Sequence, residues 1–211
     1  MDQPRYIAIE GAIGVGKTSL CDRLAEEFGF RTVHEEFEEN PFLADFYGDR
    51  QAYAFQTQLF FLLSRYRQQL GLFQQDLFAG GIVSDYLFAK DPIFAHLNLD
   101  PNELTLYDQI YSLLDARVLK PDLVIFLQAS VDTLVGRIRR RGRTYEKNMD
   151  PQYLADLSEA YNHFFFHYGE TPLLVVSTNE LNLVDQDDAF EDLVHEIQTH
   201  RGGVRHFVRQ V

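Results

Sequence analysis

Residues Gly11-Ala12-Ile13-Gly14-Val15-Gly16-Lys17-Thr18 spell G-x-x-x-x-G-K-[ST] without a gap. Tyr6-Ile-Ala-Ile-Glu10 before them reads as a strand, and a helix is predicted after them from about Lys17 to Phe28. Glycines at such a turn let successive backbone amides come close to an anion. The helix N-terminus adds the positive end of its dipole. Lys17 can reach the β and γ phosphates of a nucleoside triphosphate as a mobile point charge. Thr18 can offer its hydroxyl to a magnesium ion that keeps water and phosphate oxygens as its other ligands. The flanking strand and helix separate this loop from a chance glycine turn.

Outward from the loop, short apolar runs alternate with helical patterns. Arg31 to Glu35 reads as a second strand, entered through Gly29. Asn40-Pro41 signals a helix start. A long helix follows from about Ala52 to Phe73, with Phe55, Leu59, Leu62 and Leu63 at helical spacing. Ile82 to Asp85 is a third strand, and Pro101 opens a helix to about Leu119. Asp122 to Gln128 is apolar on both faces, as a central parallel strand covered by helices must be. Helices at Ser130 to Arg140 and Pro151 to Tyr168, a fifth strand at Leu173 to Ser177, and a last helix at Ala189 to Thr199 complete the pattern. Such alternation requires crossover connections, so the expected fold is α/β, a five-stranded parallel sheet flanked by helices. No repeat or linker interrupts residues 1–211, which read as one domain with Arg201 to Val211 as a basic tail.

The chain has 211 residues, 45% hydrophobic and 24% charged, enough for one large core. Its formal net charge of -13 argues against nucleic-acid backbones and anionic membranes as partners. The one cysteine, Cys21, excludes an intrachain disulfide and suits a reducing compartment; it reads as a small buried helix residue. The longest apolar runs, Leu59 to Leu63 and Leu123 to Leu127, are too short to span a bilayer. The strand at Tyr6 leaves no room for a leader. A soluble cytoplasmic protein is expected.

The phosphate loop does not name the acceptor. Phosphoryl transfer further needs a base, a metal ligand, and cations around the shifting charge. Arg137-Ile-Arg-Arg-Arg141-Gly-Arg143 holds five of the 19 Lys and Arg residues, with Arg137 and Arg141 on one helical face. In an acidic chain this run is an anion site or a solvated helix end. A lid over about 137–150 that closes on phosphates fits it best.

Beside the loop and this lid stand Glu35 with Asn40-Pro41, the Gln58 to Arg65 helix, Ser84-Asp85, and Asp150-Pro-Gln-Tyr-Leu154. Carrying these motifs in this order, nearly the whole chain resembles the deoxynucleoside kinase family, and the bacterial deoxyadenosine/deoxyguanosine kinases look closest. The resemblance implies a P-loop kinase fold with an arginine-rich lid. It implies transfer of the γ-phosphoryl group of ATP, with Mg2+, to the 5′-hydroxyl of a deoxynucleoside. It also implies a homodimer formed through helices beside the long Gln58 helix.

The resemblance assigns roles residue by residue. Gly11 to Thr18, Arg137, Arg141 and Arg143 hold ATP, and Glu180, Leu181 and Asn182 meet its adenine mostly through backbone. Glu35 is the catalytic carboxylate, working with Lys17, Asp85 and Arg141; Thr18 and Asp85 serve the metal. Tyr47 and Glu146 contact the sugar 3′-hydroxyl. Gln58 and Arg65 read the base, Gln56 being the competitor for Gln58. Asp91 faces the base and favours one with an amino group, such as adenine. The departure comes after the third strand. Where the family has acid, arginine and serine, this chain has Asp85-Tyr86-Leu87. Tyr86 therefore takes the place of a cation beside the acceptor, which Lys90 can supply from one turn further on.

Read without the family, Glu35, Glu36, Glu38 and Glu39 would pass as a solvated acidic turn, and Glu36 competes for the role of Glu35. His34 reads as a packing residue. Among the 18 Phe and 11 Tyr, Tyr47, Phe60, Phe88 and Phe94 are candidates for a slot that stacks a base. Two other functions share the loop: a thymidylate-type nucleoside monophosphate kinase, with Arg65 available for the acceptor phosphate, and a non-catalytic nucleotide-binding subunit.

Overall fold

The computed structural model describes residues 4–75, 80–146, 149–181, 183 and 186–207. The phosphate loop sits between β1 (Tyr6–Gly11) and α1 (Lys17–Phe28). Every residue of β1 is buried, because parallel neighbours flank it and helices cover both faces. On α1, Leu20, Cys21, Leu24 and Ala25 form the buried stripe, and the Cys21 thiol donates to the Val83 carbonyl at 3.2 Å. Gly29, at φ 65°, ends α1 in the left-handed conformation that glycine adopts without strain.

Next come β2 (Arg31–Val33), the short α2 (Leu43–Gly48), and the long α3 (Arg50–Gln75). β3 (Ile82–Ser84) leads into α4 (Asp91–Asn98) and α5 (Pro101–Asp115), the latter opened by a capping box between Asp100 and Glu103. β4 (Leu123–Gln128), α6 (Val131–Arg141), α7 (Pro151–Phe166), β5 (Leu173–Ser177), α8 (Asp187–Thr199) and β6 (Val204–Phe207) follow.

The strands form one parallel sheet in the order β2-β3-β1-β4-β5-β6. The chain steps from β1 toward β2 and β3 on one side and then crosses to β4 on the other. That reversal opens a crevice at the C-terminal end of β1, where α/β sheets place ligands. Among the described residues, no helix is long and apolar enough to cross a membrane.

Two expectations are corrected. The sheet has six strands, not five, because Val204–Phe207 pairs with β5 where a tail was expected. This edge strand carries Arg205 and His206 and has one buried residue, so no apolar run announces it. The stretch after Asp85 also holds a helix, α4, where none was read.

Candidate active site

The phosphate loop depends on backbone that only glycine takes easily. Gly11, Gly14 and Gly16 have φ of 149°, 86° and 108°. A Cβ on Gly11 would lie 2.4 Å from the Leu127 carbonyl oxygen, so the loop also presses against β4. Lys17 turns its ammonium onto the Gly11 carbonyl at 2.7 Å. Its pKa is lowered by burial first; the charge of Glu10 opposes that shift. Arg137 donates to the Val15 carbonyl and to Thr178, clasping the loop to the end of β5.

In front of the loop lies a cleft of about 950 Å³, partly open to solvent. Ile13, Gly14, Lys17 and Thr18 form its floor. Ala54, Thr57, Gln58, Phe61 and Arg65 form one wall, at the spacing of a single face of α3. Arg141, Arg143, Tyr145 and Glu146 close it from the lid. Arg141 forks onto Glu146, both contacts of its Nη2 being 2.7 Å, and Arg143 lies 4.0 Å over the Phe37 ring. Tyr145 stacks on Tyr47, with centroids 5.8 Å apart.

Glu35 stands just beyond β2, in the cleft wall. Its carboxylate accepts from Arg65 Nε at 2.6 Å and lies 3.1–3.2 Å from the Lys90 ammonium. Burial alone would raise its pKa. Arg65, then Lys90 and Lys17, outweigh burial and hold the carboxyl well below the usual range. Asp85 accepts from the Thr18 hydroxyl at 2.6 Å and from the Glu35 amide at 2.7 Å. Two hard oxygen donors thus meet at the loop, as a magnesium ion with phosphate and water ligands requires. Glu36 takes the Ser64 hydroxyl instead, at 3.2 Å, and is absent from the cleft wall.

Several expected placements change. Asp91 is fully buried behind the wall and does not face the cleft. Its carboxylate is taken by Gln58 Nε2 at 2.5 Å, the Tyr107 hydroxyl at 2.5 Å, and Arg65 Nη1. It orients the two base-reading candidates rather than serving as a third. Asp91→Ala is expected to lower the unfolding free energy by about 3–5 kcal/mol, because the Arg65 guanidinium loses a buried partner. Chemical denaturation checks this.

Tyr86 is also fully buried, its hydroxyl 3.4 Å from Gln69 Nε2. It points away from the cleft because side chains alternate where the chain leaves β3. Lys90 occupies the wall instead, almost wholly buried. Of the aromatic candidates, Tyr47 and Phe94 line the cleft. Phe61 replaces Phe60, a one-residue shift that turns a helical side chain by about 100°. Phe88 stacks on Tyr111 in a separate cluster. His34 is no packing residue. It is partly exposed, 2.9 Å from Asp22 and 3.4 Å from Asp85. Glu180 is exposed and the Leu181 side chain packs into the core, which leaves their backbone as the part available for the expected adenine contact. Asn182 lies outside the described residues. Tyr153 and Tyr161 of α7, and Asn98 of α4, line the cleft unannounced, since their spacing is that of ordinary buried helix faces.

A monophosphate acceptor would need a free cation opposite the loop. Arg65, the residue available for it, is committed to Glu35 and Asp91.

The family model described as "Deoxynucleoside kinase" matches residues 7–201. The chain is 40% identical over 162 residues to the deoxyguanosine kinase of Bacillus subtilis, covering 76% of this chain and 78% of the relative. It is 30% identical over 199 residues to the deoxyadenosine/deoxycytidine kinase of the same organism, covering 90% of each. The structure of deoxyadenosine kinase from M. mycoides with bound dATP superposes with a TM-score of 0.77 at 28% identity, covering 90% of this chain and 99% of that one. The chain is a phosphotransferase that belongs to the deoxynucleoside kinase family.

Proposed function

We propose that this kinase transfers the γ-phosphoryl group of ATP to the 5′-hydroxyl of a deoxynucleoside that bears an amino group on its base. The observation that carries the reading is Glu35, a carboxylate in the wall of one cleft that has Lys17 and Thr18 on its floor and Gln58 on its wall. Lys17 meets the donor phosphates, and Glu35 orients the sugar hydroxyl and accepts its proton as the oxygen attacks. Bound at Thr18 and Asp85, magnesium would neutralise phosphate oxygens. Arg141 and Arg143 bring positive charge from the lid over 137–150 as it closes on the one-domain body. Tyr47 and Glu146 face the sugar.

Gln58 supports the base preference. Its amide nitrogen is spent on the Asp91 carbonyl and carboxylate, at 3.2 and 2.5 Å. The group it offers the cleft is therefore its carbonyl oxygen, an acceptor for an exocyclic amine. In a panel with Mg-ATP, deoxyadenosine, deoxyguanosine and deoxycytidine are expected to give higher kcat/KM than thymidine. A thymidine preference would reject this part of the reading, and activity only on monophosphates would reject all of it. Chelation of the metal is expected to stop turnover.

The working protein is a cytoplasmic homodimer in this reading. Leu63 and Leu70 on α3, and Leu106 and Leu113 on α5, are exposed at seven-residue spacing on two helices that pack together. They supply an apolar face for a second copy.

A further inference from the structure

Glu10 is a buried charge with no part in the chemistry so far. It is the second-last residue of β1, fully buried, and absent from the cleft wall. A carboxylate at such a position is unfavourable unless its oxygens are fully engaged. Those of Glu10 are engaged. One accepts from the Gly11 amide at 2.8 Å, at the first residue of the phosphate loop. The other accepts from the Leu87 amide at 3.1 Å and lies 3.0 Å from the Lys90 ammonium. Lys90 in turn lies 3.1 Å from Glu35. The ammonium is thus held between a carboxylate behind the wall and a carboxylate in it.

We propose that Glu10 is a positioning residue for phosphoryl transfer, anchoring the Lys90 ammonium beside Glu35. Glu10 touches neither substrate; it acts through Lys90, which lines the cleft. The electrostatics agree. Burial works against a charged Lys90, and Glu10 is the largest influence restoring its charge, ahead of Glu35. The same carboxylate is the largest opposing charge felt by Lys17. A neutral Glu10 would leave a cation beside Glu35 held from one side only, free to turn toward the acceptor carboxylate or solvent.

The inference rests on Glu35 facing the acceptor hydroxyl, so Glu35→Gln is assayed in parallel. Retained turnover in that variant would reject the site reading, whatever Glu10 does. The test proper is a cycle of wild type, Glu10→Gln, Lys90→Met and the double variant, with Mg-ATP and deoxyadenosine. Glu10→Gln is expected to lower kcat by roughly tenfold, with nucleoside KM changing less than about twofold. Lys90→Met is expected to lower kcat by roughly 10²-fold. The double variant should turn over no slower than Lys90→Met, since the ammonium that Glu10 positions is already gone.

Wild-type kcat in Glu10→Gln would overturn the proposal, and so would losses that multiply in the double variant. Melting curves accompany each protein. If Glu10→Gln fails to fold, the double variant, a neutral pair, carries the test. Equality with Lys90→Met supports positioning, and a clear further loss rejects it. If both proteins lacking Glu10 fail to fold, Glu10 is a folding residue and the proposal falls.

Discussion

Lys17→Ala is expected to cut turnover by on the order of 10³-fold with every deoxynucleoside, while the protein melts no lower than wild type. The first half follows from charge. As the γ-phosphoryl group moves, negative charge spreads over its oxygens, and a preplaced ammonium stabilises that spread by several kcal/mol, about 3–4 at one position. The second half follows from the sign of the lysine's own shift. Burial lowers its pKa, which means that the fold disfavours the charged form. A group with that sign weakens the native state at neutral pH, and stability rises as pH climbs through its folded pKa. The side chain bonds to carbonyls of its own loop and lines an open cleft, so truncation empties no core. Steady-state assays with calorimetry check both halves. Ordinary activity in Lys17→Ala would make the loop incidental to catalysis.

Glu35→Gln is the second large effect: a loss of roughly 10²–10⁴-fold in kcat with ATP binding retained. Glutamine keeps the shape but cannot take the proton. The shift runs downward as for Lys17, but its consequence for stability is opposite, because a lowered pKa favours a charged carboxylate and disfavours a charged ammonium. Burial would raise the carboxyl pKa, but Arg65, Lys90 and Lys17 hold it well below the usual range. Glu35 therefore stays ionised while pH falls through the ordinary carboxylate range. Its contribution to stability is present above the unfolded pKa and is lost only as pH falls through the lower folded value. The acid limb of kcat/KM that belongs to Glu35 is expected below the range of free carboxylates. A pH profile of the wild type checks this. A limb between pH 5 and 7 that vanishes in Glu35→Gln would contradict it.

So low a pKa also shapes the mechanism. Glu35 is a weak base in the resting site, hemmed by cations. It suits a transfer in which the hydroxyl is oriented first and loses its proton late, as loose phosphoryl transition states allow. Glu35→Gln should also melt lower than wild type, since two buried cations lose a shared partner.

From sequence alone, the phosphate loop, the strand before it and the helix after it were legible, because all three are contiguous and governed by local backbone chemistry. The α/β alternation was legible for the same reason: the period of apolar residues is a local property. β6 was not, since an edge strand half open to solvent has no apolar signature. Which side chains meet was decided by the tertiary structure. Thr18 and Asp85 are 67 residues apart and share a hydrogen bond. Asp91 had the right chemistry for a base contact, yet the fold turns it behind the wall, where it spends its oxygens on Gln58, Arg65 and Tyr107. Tyr86 turns into the core because side chains alternate as the chain leaves β3, while Lys90 reaches the cleft wall from the turn before α4. A residue's type sets the chemistry it can perform. Which charges surround it, and whether it faces a cleft or a core, depends on chain segments far away in sequence.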